Sequence, residues 1–114
     1  MVFFDRLIKL MICAETLFLF SDEPKRANIS ERAALLLGKT YAAKRELKQF
    51  FGIMYDKRSA IVHRGKAQLT QKELIRLTLY LQAAIITLVK SQKRLRISSE
   101  DDLREWFERK KLGG

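Results

Sequence analysis

Apolar residues recur along this chain at the three- and four-residue intervals of amphipathic α-helices, and they predict five helical segments. The segments are residues 3–20, the stretch NISERAALLLG, a long stretch from about Thr40 to Val62, the stretch QKELIRLTLYLQAAIITLVKS and the stretch SSEDDLREWFERKK. One proline and five glycines leave little room for the frequent turns of an all-β domain. We therefore expect an all-α fold, an up-down bundle of four to five helices.

The length of the chain is that of one domain. Its 114 residues, 47% of them hydrophobic and 32% charged, are enough to close around a single core. The first predicted helix begins almost at Met1, with no capping residue before it. We therefore expect residues 1–114 to form a single helical domain, either complete or the fragment or C-terminal part of a larger protein.

Residues with strong backbone preferences mark the ends of the first two helices. Pro24 disfavours helix at Glu23, so the first helix should end within or before the SDEP stretch. Asn28 or Ser30 is the predicted N-terminal cap of the second helix, and Gly38 is its predicted C-terminal stop.

The later helices carry similar signals. Gly52 lies inside the third helix, where glycine costs about 1 kcal/mol and allows close packing. Thr70 and Glu73 have the spacing of a capping box at the start of the fourth helix. The last helix has acids in its first turn and bases in its last turn, as the helix dipole favours.

The fourth helix is apolar on two sides. One stripe consists of Leu74, Leu77, Leu81, Ile85 and Leu88. A second stripe, on another face, consists of Ile75, Leu79 and Ile86. A helix that is apolar on two faces is usually buried on both. Either a second chain covers the second stripe, or this helix is central in a monomer.

Positive charge is concentrated in the middle of the chain. The formal net charge is +10, and residues 25–96 carry 17 Lys and Arg against 4 Asp and Glu, whereas both ends are slightly negative. A basic middle between weakly acidic ends favours a polyanionic partner, and phosphate is the commonest polyanion group. The alternative is that these cations only solvate helical faces.

The apolar N-terminal stretch does not have the pattern of a membrane span or a signal peptide. Asp5, Arg6, Lys9 and Glu15 interrupt it at intervals too short for a span of about 20 apolar residues. No basic segment precedes an uninterrupted apolar run with a cleavage site. We expect a cytoplasmic protein with no membrane partner.

The sequence offers little for a metal or cofactor. His63 and Cys13 are the only residues of their types, and one of each cannot form an ordinary zinc site. No glycine-rich phosphate loop and no paired carboxylates are evident. We therefore expect neither a metal nor a cofactor.

The only histidine lies in the stretch MYDKRSAIVHRGK, residues 54–66. Arg58 and His63 are five residues apart, which places them about 140° apart on a regular helix. Gly65 is the residue expected where a helix ends in a left-handed turn. The two side chains can meet only if the helix ends between them or if two copies of the chain come together.

The stretch YDKRSAIVHRGK resembles the R-x4-6-H signature of HEPN domains, and most closely the RS-x-IVHGG variant of the Apea-like group. The upstream AETLFLFSDE and ISERAALLLG also resemble that group, so the resemblance covers about residues 10–90. HEPN domains are helical bundles, and many are metal-independent ribonucleases whose motifs meet across a homodimer or pseudo-dimer. The resemblance implies a homodimeric endoribonuclease of the toxin or phage-defence type that acts on RNA.

The implied activity suits the chemistry of these residue types. Histidine titrates near neutral pH and can take the 2′-hydroxyl proton, so His63 is the expected acid/base. The permanently charged fork of Arg58 would position the phosphate and stabilise its oxygens. Attack by the 2′-OH leaves a cyclic phosphate and excludes DNA as a substrate. Ser59 and Tyr55 would orient the pair. Further RNA phosphates would be contacted by Lys57, Arg64 and Lys66.

Several alternatives stay open on sequence alone. His63 can instead cap helix carbonyls, and Arg58 can pair with Glu46 or Asp56 inside the bundle. The chain is then a non-catalytic RNA- or nucleotide-binding helical module, or a helical regulator of DNA. Gly65 stands where antitoxin-paired HEPN members often carry a modified tyrosine, which argues against that mode of regulation in this chain. Apea-like domains are often parts of larger proteins. Both a cognate antitoxin and a larger protein context stay open as partners.

Overall fold

The computed structural model of the chain describes the backbone of residues 2–20, 23–95 and 99–113, and the side chains of residues 3–20, 23–91 and 99–113. Its five helices are α1 (Val2–Phe18), α2 (Lys25–Leu37), α3 (Tyr41–Arg64), α4 (Gln71–Leu95) and α5 (Glu100–Lys111). These described ranges contain no strand. The prediction of an all-α helical bundle is confirmed. The Cα radius of gyration, 14.3 Å, is close to the value of about 13 Å expected for a compact domain of this size.

All five helices contribute side chains to one hydrophobic core. Aromatic rings connect three of them, since the ring of Phe18 meets that of Phe51 at 6.2 Å and that of Phe107 at 6.3 Å, both edge to face. The largest buried apolar side chains are Phe18, Phe51, Leu7, Met11, Ile29, Met54, Leu74 and Leu77. α5 is therefore anchored on the core through Phe107.

α2 begins earlier than predicted, and the predicted capping residues lie inside it. Pro24 takes the N-cap position, and the helix starts at Lys25. Asn28 Nδ2 donates to the carbonyl oxygen of Pro24 at 2.7 Å, and Ser30 Oγ donates to that of Arg26 at 2.8 Å. Both side chains thus bond backward to carbonyls of the first turn instead of capping free N–H groups. The prediction of Asn28 or Ser30 as the cap is wrong.

α2 and α3 form the most extensive helix pair in the fold, joined by a short turn. Gly38 ends α2 as predicted, and the hydroxyl of Thr40 caps α3 by accepting from Ala43 N at 3.1 Å. At the far end of the pair, Arg26 donates two hydrogen bonds to Asp56, at 2.8 and 3.0 Å. The Arg26 guanidinium lies so close to α3 that a Cβ at position 52 would be 2.9 Å from its Nη2 atom.

A buried ion pair stabilises the turn between α1 and α2. α1 ends at Phe18, two residues before the predicted end, and Arg32, only 7% exposed, donates to the carbonyl oxygen of Phe18 at 2.7 Å. Arg32 also donates to both carboxylate oxygens of Glu23, at 2.6 and 2.7 Å, and lies 4.6 Å from the ring centre of Phe20. The hydrogen bonds from Arg32 lower the pKa of Glu23 to about 2, although burial alone would raise it.

The predicted capping box is present at the start of α4. Thr70 N donates to Glu73 Oε1 at 2.9 Å, and Glu73 N donates to Thr70 Oγ1 at 3.1 Å. The buried stripe of this helix consists of Leu74, Leu77, Leu81 and Ala84. The fourth member of this stripe is Ala84, which follows Leu81 by three residues. The prediction that Ile85 belongs to the buried stripe is wrong, because its side chain is half-exposed.

The second stripe of α4 lies on the surface. Ile75, Leu79 and Ile86 are 52, 59 and 54% exposed. The alternative of a fully central helix in a monomer is therefore wrong. By length and composition, Gln71–Ser91 is the one described segment apolar enough to cross a membrane, and 22% of it is buried. A single helix of this kind is weak evidence for a membrane span, and the Leu74, Leu77, Leu81 and Ala84 side chains of this one lie in the core.

Candidate functional site

The predicted motif occupies the last two turns of α3. The helix is continuous from Tyr41 to Arg64 and ends at Gly65, whose φ of 78° places it in the left-handed region. The N–H of Gly65 donates to the carbonyl oxygen of Ile61 at 2.8 Å, which closes the last turn as predicted. Position 65 needs glycine because other residues are strained at this φ.

Arg58 and His63 therefore lie within one regular helix. They point about 140° apart around its axis, so they do not share a face in a single chain. The first possibility, that the helix ends between Arg58 and His63, is wrong, because α3 continues to Arg64. The remaining way is the approach of two copies.

The Arg58 side chain turns toward the interior of the bundle. Its Nη2 atom lies 3.7 Å from Oε1 of Glu15 on α1, and the two side chains are 22 and 20% exposed. Its guanidinium also lies 5.9 Å from the ring centre of Tyr55, one turn earlier on α3. Sequence reasoning missed Glu15 as a neighbour of the motif.

The contact between Arg58 and Glu15 leaves polar atoms unsatisfied. The Nε of Arg58 and the Oε1 of Glu15 are buried, and neither has a hydrogen-bond partner in the described part of the chain. A separation of 3.7 Å is too long for a hydrogen bond. Buried polar groups without partners usually cost about 1–3 kcal/mol each, so this pair is held less tightly than the hydrogen-bonded ion pairs of the fold, such as Arg32–Glu23.

The alternative in which Arg58 pairs with Glu46 or Asp56 inside the bundle is wrong. Glu46 instead pairs with Arg76, with Nη2 2.7 Å from Oε1, and Asp56 is occupied by Arg26. Neither acid neutralises Arg58.

His63 lies on the exposed side of the last turn of α3. Its ring makes no hydrogen bond or ion pair within the described ranges, so it does not cap helix carbonyls. Its neighbour Val62 is 55% exposed, which makes this end of α3 partly apolar at the surface. The imidazole is therefore accessible to a ligand from solvent.

The three predicted phosphate contacts fall into two groups. Lys57 Nζ donates to Glu73 Oε2 at 2.7 Å, which connects α3 to the capping box of α4. Burial raises the pKa of Glu73, but the hydrogen bonds from Lys57 and Thr70 outweigh it and bring the pKa below its ordinary value. Arg64 and Lys66 are exposed and unpaired among the described residues. Lys57 is thus occupied, and Arg64 and Lys66 are available.

Ser59 and Tyr55 are both half-buried beside the motif. Tyr55 packs against the hydrophobic core on one side and faces Arg58 on the other. Its position suits a packing residue that limits where the guanidinium can lie. No three His, Cys, Asp or Glu side chains in the described ranges cluster closely enough to hold a metal ion.

The exposed stripe of α4 has the spacing of a helix-pairing seam. Its apolar members are joined by Gln82 and Val89 into a continuous row at alternating intervals of four and three residues: Ile75, Leu79, Gln82, Ile86 and Val89. This is the interval pattern of the a and d positions in coiled coils, and a polar residue at one such position is a common device for fixing register. We call this row the α4 seam.

Comparison with protein-family models, with curated proteins and with solved structures gave no match to this chain. What this protein does must therefore be inferred from the motif and from the geometry around it.

Proposed function

We propose that this protein is a metal-independent endoribonuclease that cleaves RNA through 2′-OH attack and acts as a homodimer. The observation that supports it best is the placement of the motif. An exposed imidazole and a guanidinium Nε, both without a partner among the described residues, lie on the same two turns at the end of one helix. The proposed setting, a cytoplasmic toxin or phage-defence system with an antitoxin or a larger assembly as partner, depends on the HEPN resemblance alone.

The proposed reaction assigns one role to each side chain. His63 accepts the 2′-hydroxyl proton, and the 2′-oxygen attacks the adjacent phosphorus. Arg58 binds the phosphoryl oxygens, whose negative charge increases in the transition state. The 5′-oxygen leaves and takes a proton from solvent, so the products are a 2′,3′-cyclic phosphate and a 5′-hydroxyl.

The proposed site is shared between two copies because one chain cannot bring the pair together. A two-fold axis would place Arg58 of one copy opposite His63 of the other and would build two such sites at once. The α4 seam supports this assembly, since four half-exposed aliphatic side chains and one glutamine at 4-3 spacing are suited to a second helix of the same kind. The exposed Arg64 and Lys66 would then line the cleft with positive charge.

The first test is RNA cleavage in EDTA. We expect single-stranded RNA to be cut, the matching DNA to stay intact and the products to carry cyclic phosphate ends. His63→Ala and Arg58→Ala should each abolish cleavage while far-UV circular dichroism and thermal unfolding stay close to wild type. RNA binding without cleavage would favour the second candidate, a non-catalytic RNA-binding module, which is supported by the inward orientation of Arg58 toward Glu15.

A mixing experiment tests the shared site. When Arg58→Ala and His63→Ala proteins are unfolded together and refolded, about half of the dimers are mixed. One of the two sites in each mixed dimer is complete, so about a quarter of the wild-type activity should return. No recovery, with mixed dimers present, would contradict a site built from two copies.

The assembly itself is tested on the α4 seam. Leu79→Lys should convert the dimer into a folded monomer with little nuclease activity, as measured by light scattering and by the cleavage assay. Ile53→Lys, at a similarly exposed isoleucine on α3, is the matched control and should remain dimeric and active. A wild-type protein that is monomeric and fully active would refute the assembly.

A further inference from the structure

A second basic surface lies at the opposite end of α3 from the motif. Tyr41, the first residue of α3, is 81% exposed, which is unusual for a large aromatic side chain. Lys44, Arg45 and Lys48 share its face of the helix, because they follow it at intervals of three, four and seven residues. With α2, these residues surround a shallow depression of about 350 Å³.

The cations of this depression have no acidic partners in the described part of the chain. Tyr41, Lys44, Arg45 and Lys48 make no ion pair or side-chain hydrogen bond there. The one acid in the lining, Glu31, is directed to α5, with its Oε1 atom 3.4 Å from Lys111 Nζ. The floor is apolar and comes from Ala34 and Leu35 of α2.

An exposed aromatic ring among unpaired cations has the two features that single-stranded nucleic acid requires. An unpaired base stacks on the ring, and the neighbouring phosphates meet the cations. A double helix cannot use this arrangement because its bases are already stacked and paired. An acidic peptide would use the charges but would gain little from the aromatic face.

We propose that Tyr41, Lys44, Arg45 and Lys48 form a secondary binding site for single-stranded RNA, in which a base stacks on Tyr41. This proposal rests on the proposed function, because it takes RNA as the ligand. It adds a second place at which a long RNA is bound, away from the bond that is cleaved. Seventeen residues separate Tyr41 from Arg58, which is about 25 Å along α3. A substrate of two nucleotides cannot span that distance, whereas a longer strand can.

Fluorescence anisotropy with a labelled 2′-O-methyl oligouridine, which cannot be cleaved by 2′-OH attack, tests this site. Tyr41→Ala should weaken binding about tenfold, and Tyr41→Phe should bind within about twofold of wild type because the ring is kept. Lys44→Ala and Arg45→Ala should each weaken binding and reduce the salt dependence by about one phosphate contact. Lys72→Ala removes an exposed cation from α4, outside this depression, and is the control.

The outcomes separate this site from the nuclease proposal. Loss of activity toward long RNA in Tyr41→Ala, with dinucleotide cleavage unchanged, supports the secondary site. If no cleavage is found in the wild type but Tyr41 still controls oligonucleotide binding, the nuclease proposal fails and the site stands. If Tyr41→Ala binds as wild type, or if polyglutamate competes as well as RNA does, the surface is an unspecific cationic patch and the inference is wrong.

Discussion

The ion pair between Glu23 and Arg32 should make the stability of this protein depend on pH in a defined window. The Glu23 side chain is 21% exposed and accepts hydrogen bonds from Arg32 and from the backbone N–H of Phe20. Its pKa falls from 4.5 to about 2 on folding. A shift of one pKa unit corresponds to about 1.4 kcal/mol, so the ion pair stabilises the folded state by about 3 kcal/mol at neutral pH.

The sign follows from which state binds the proton first. As pH falls, the unfolded chain protonates Glu23 before the folded chain does, so the folded state loses its advantage. The stabilisation should be complete above about pH 5 and should be lost between pH 4.5 and about 2. Glu23→Gln should therefore cost about 3 kcal/mol at pH 7, because Arg32 is left buried with an uncharged partner.

Urea unfolding of wild type and Glu23→Gln at pH 7, 5, 4 and 3 measures this effect. The difference in the free energy of unfolding should be largest at pH 7 and should shrink steadily below pH 5. Asp56→Asn is the matched control, since Asp56 also accepts two hydrogen bonds from an arginine, but that pair is 54 and 58% exposed. It should change stability by less than about 1 kcal/mol. A difference for Glu23→Gln that is small at pH 7, or constant from pH 7 to 3, would refute the reasoning.

Four further substitutions test the packing and can be followed by thermal or urea unfolding. Gly52→Ala should be neutral or slightly stabilising, because the new Cβ meets only the exposed terminal guanidinium of Arg26, which can shift outward. Gly38→Ala should destabilise by about 1–3 kcal/mol, because its Cβ would lie 2.8 Å from a backbone carbonyl oxygen. Thr70→Ala should cost about 1 kcal/mol through loss of the capping box, and equal stability would contradict that assignment. Phe107→Ala should cost about 3–5 kcal/mol by opening a cavity in the core, and a cost below 1 kcal/mol would mean that α5 does not depend on this ring.

Features that depend on a few adjacent residues could be predicted from the sequence. The capping box of Thr70 and Glu73 and the stop at Gly65 each need only about four residues of context, and both are present. The start of α2 is the exception. Asn28 and Ser30 can bond either forward, as caps, or backward to carbonyls, and residue type alone does not decide between the two.

Features that depend on distant residues could not be predicted. The sequence places Arg58 and His63 at the end of α3, but the neighbour of Arg58 is Glu15, 43 positions earlier, and no local pattern links them. Periodicity identified the second apolar stripe of α4 correctly as a distinct face. It could not show that this face lies on the surface, because that depends on how α1 and α4 pack.

The loose contact between Arg58 and Glu15 has a consequence for the proposed nuclease. Directional hydrogen bonds would hold the guanidinium in one orientation, but a separation of 3.7 Å and an unpartnered Nε leave mainly Coulombic attraction. For a pair near the surface, this attraction is about 1–4 kcal/mol. A phosphate offers two short, charge-assisted hydrogen bonds to the same fork, which is enough to compete.

Glu15 should therefore restrain Arg58 and compete with the RNA phosphate for it. Glu15→Gln removes the competing charge with little change in volume, and we expect it to bind RNA several times more tightly and to cleave at least as fast as wild type. Glu46→Gln makes the same change at the partner of Arg76 and should have little effect. The measurements are oligonucleotide anisotropy and single-turnover cleavage. If Glu15→Gln lost as much activity as Arg58→Ala, then Glu15 would be orienting the guanidinium for reaction, and the restraint argued from the unsatisfied atoms would be wrong.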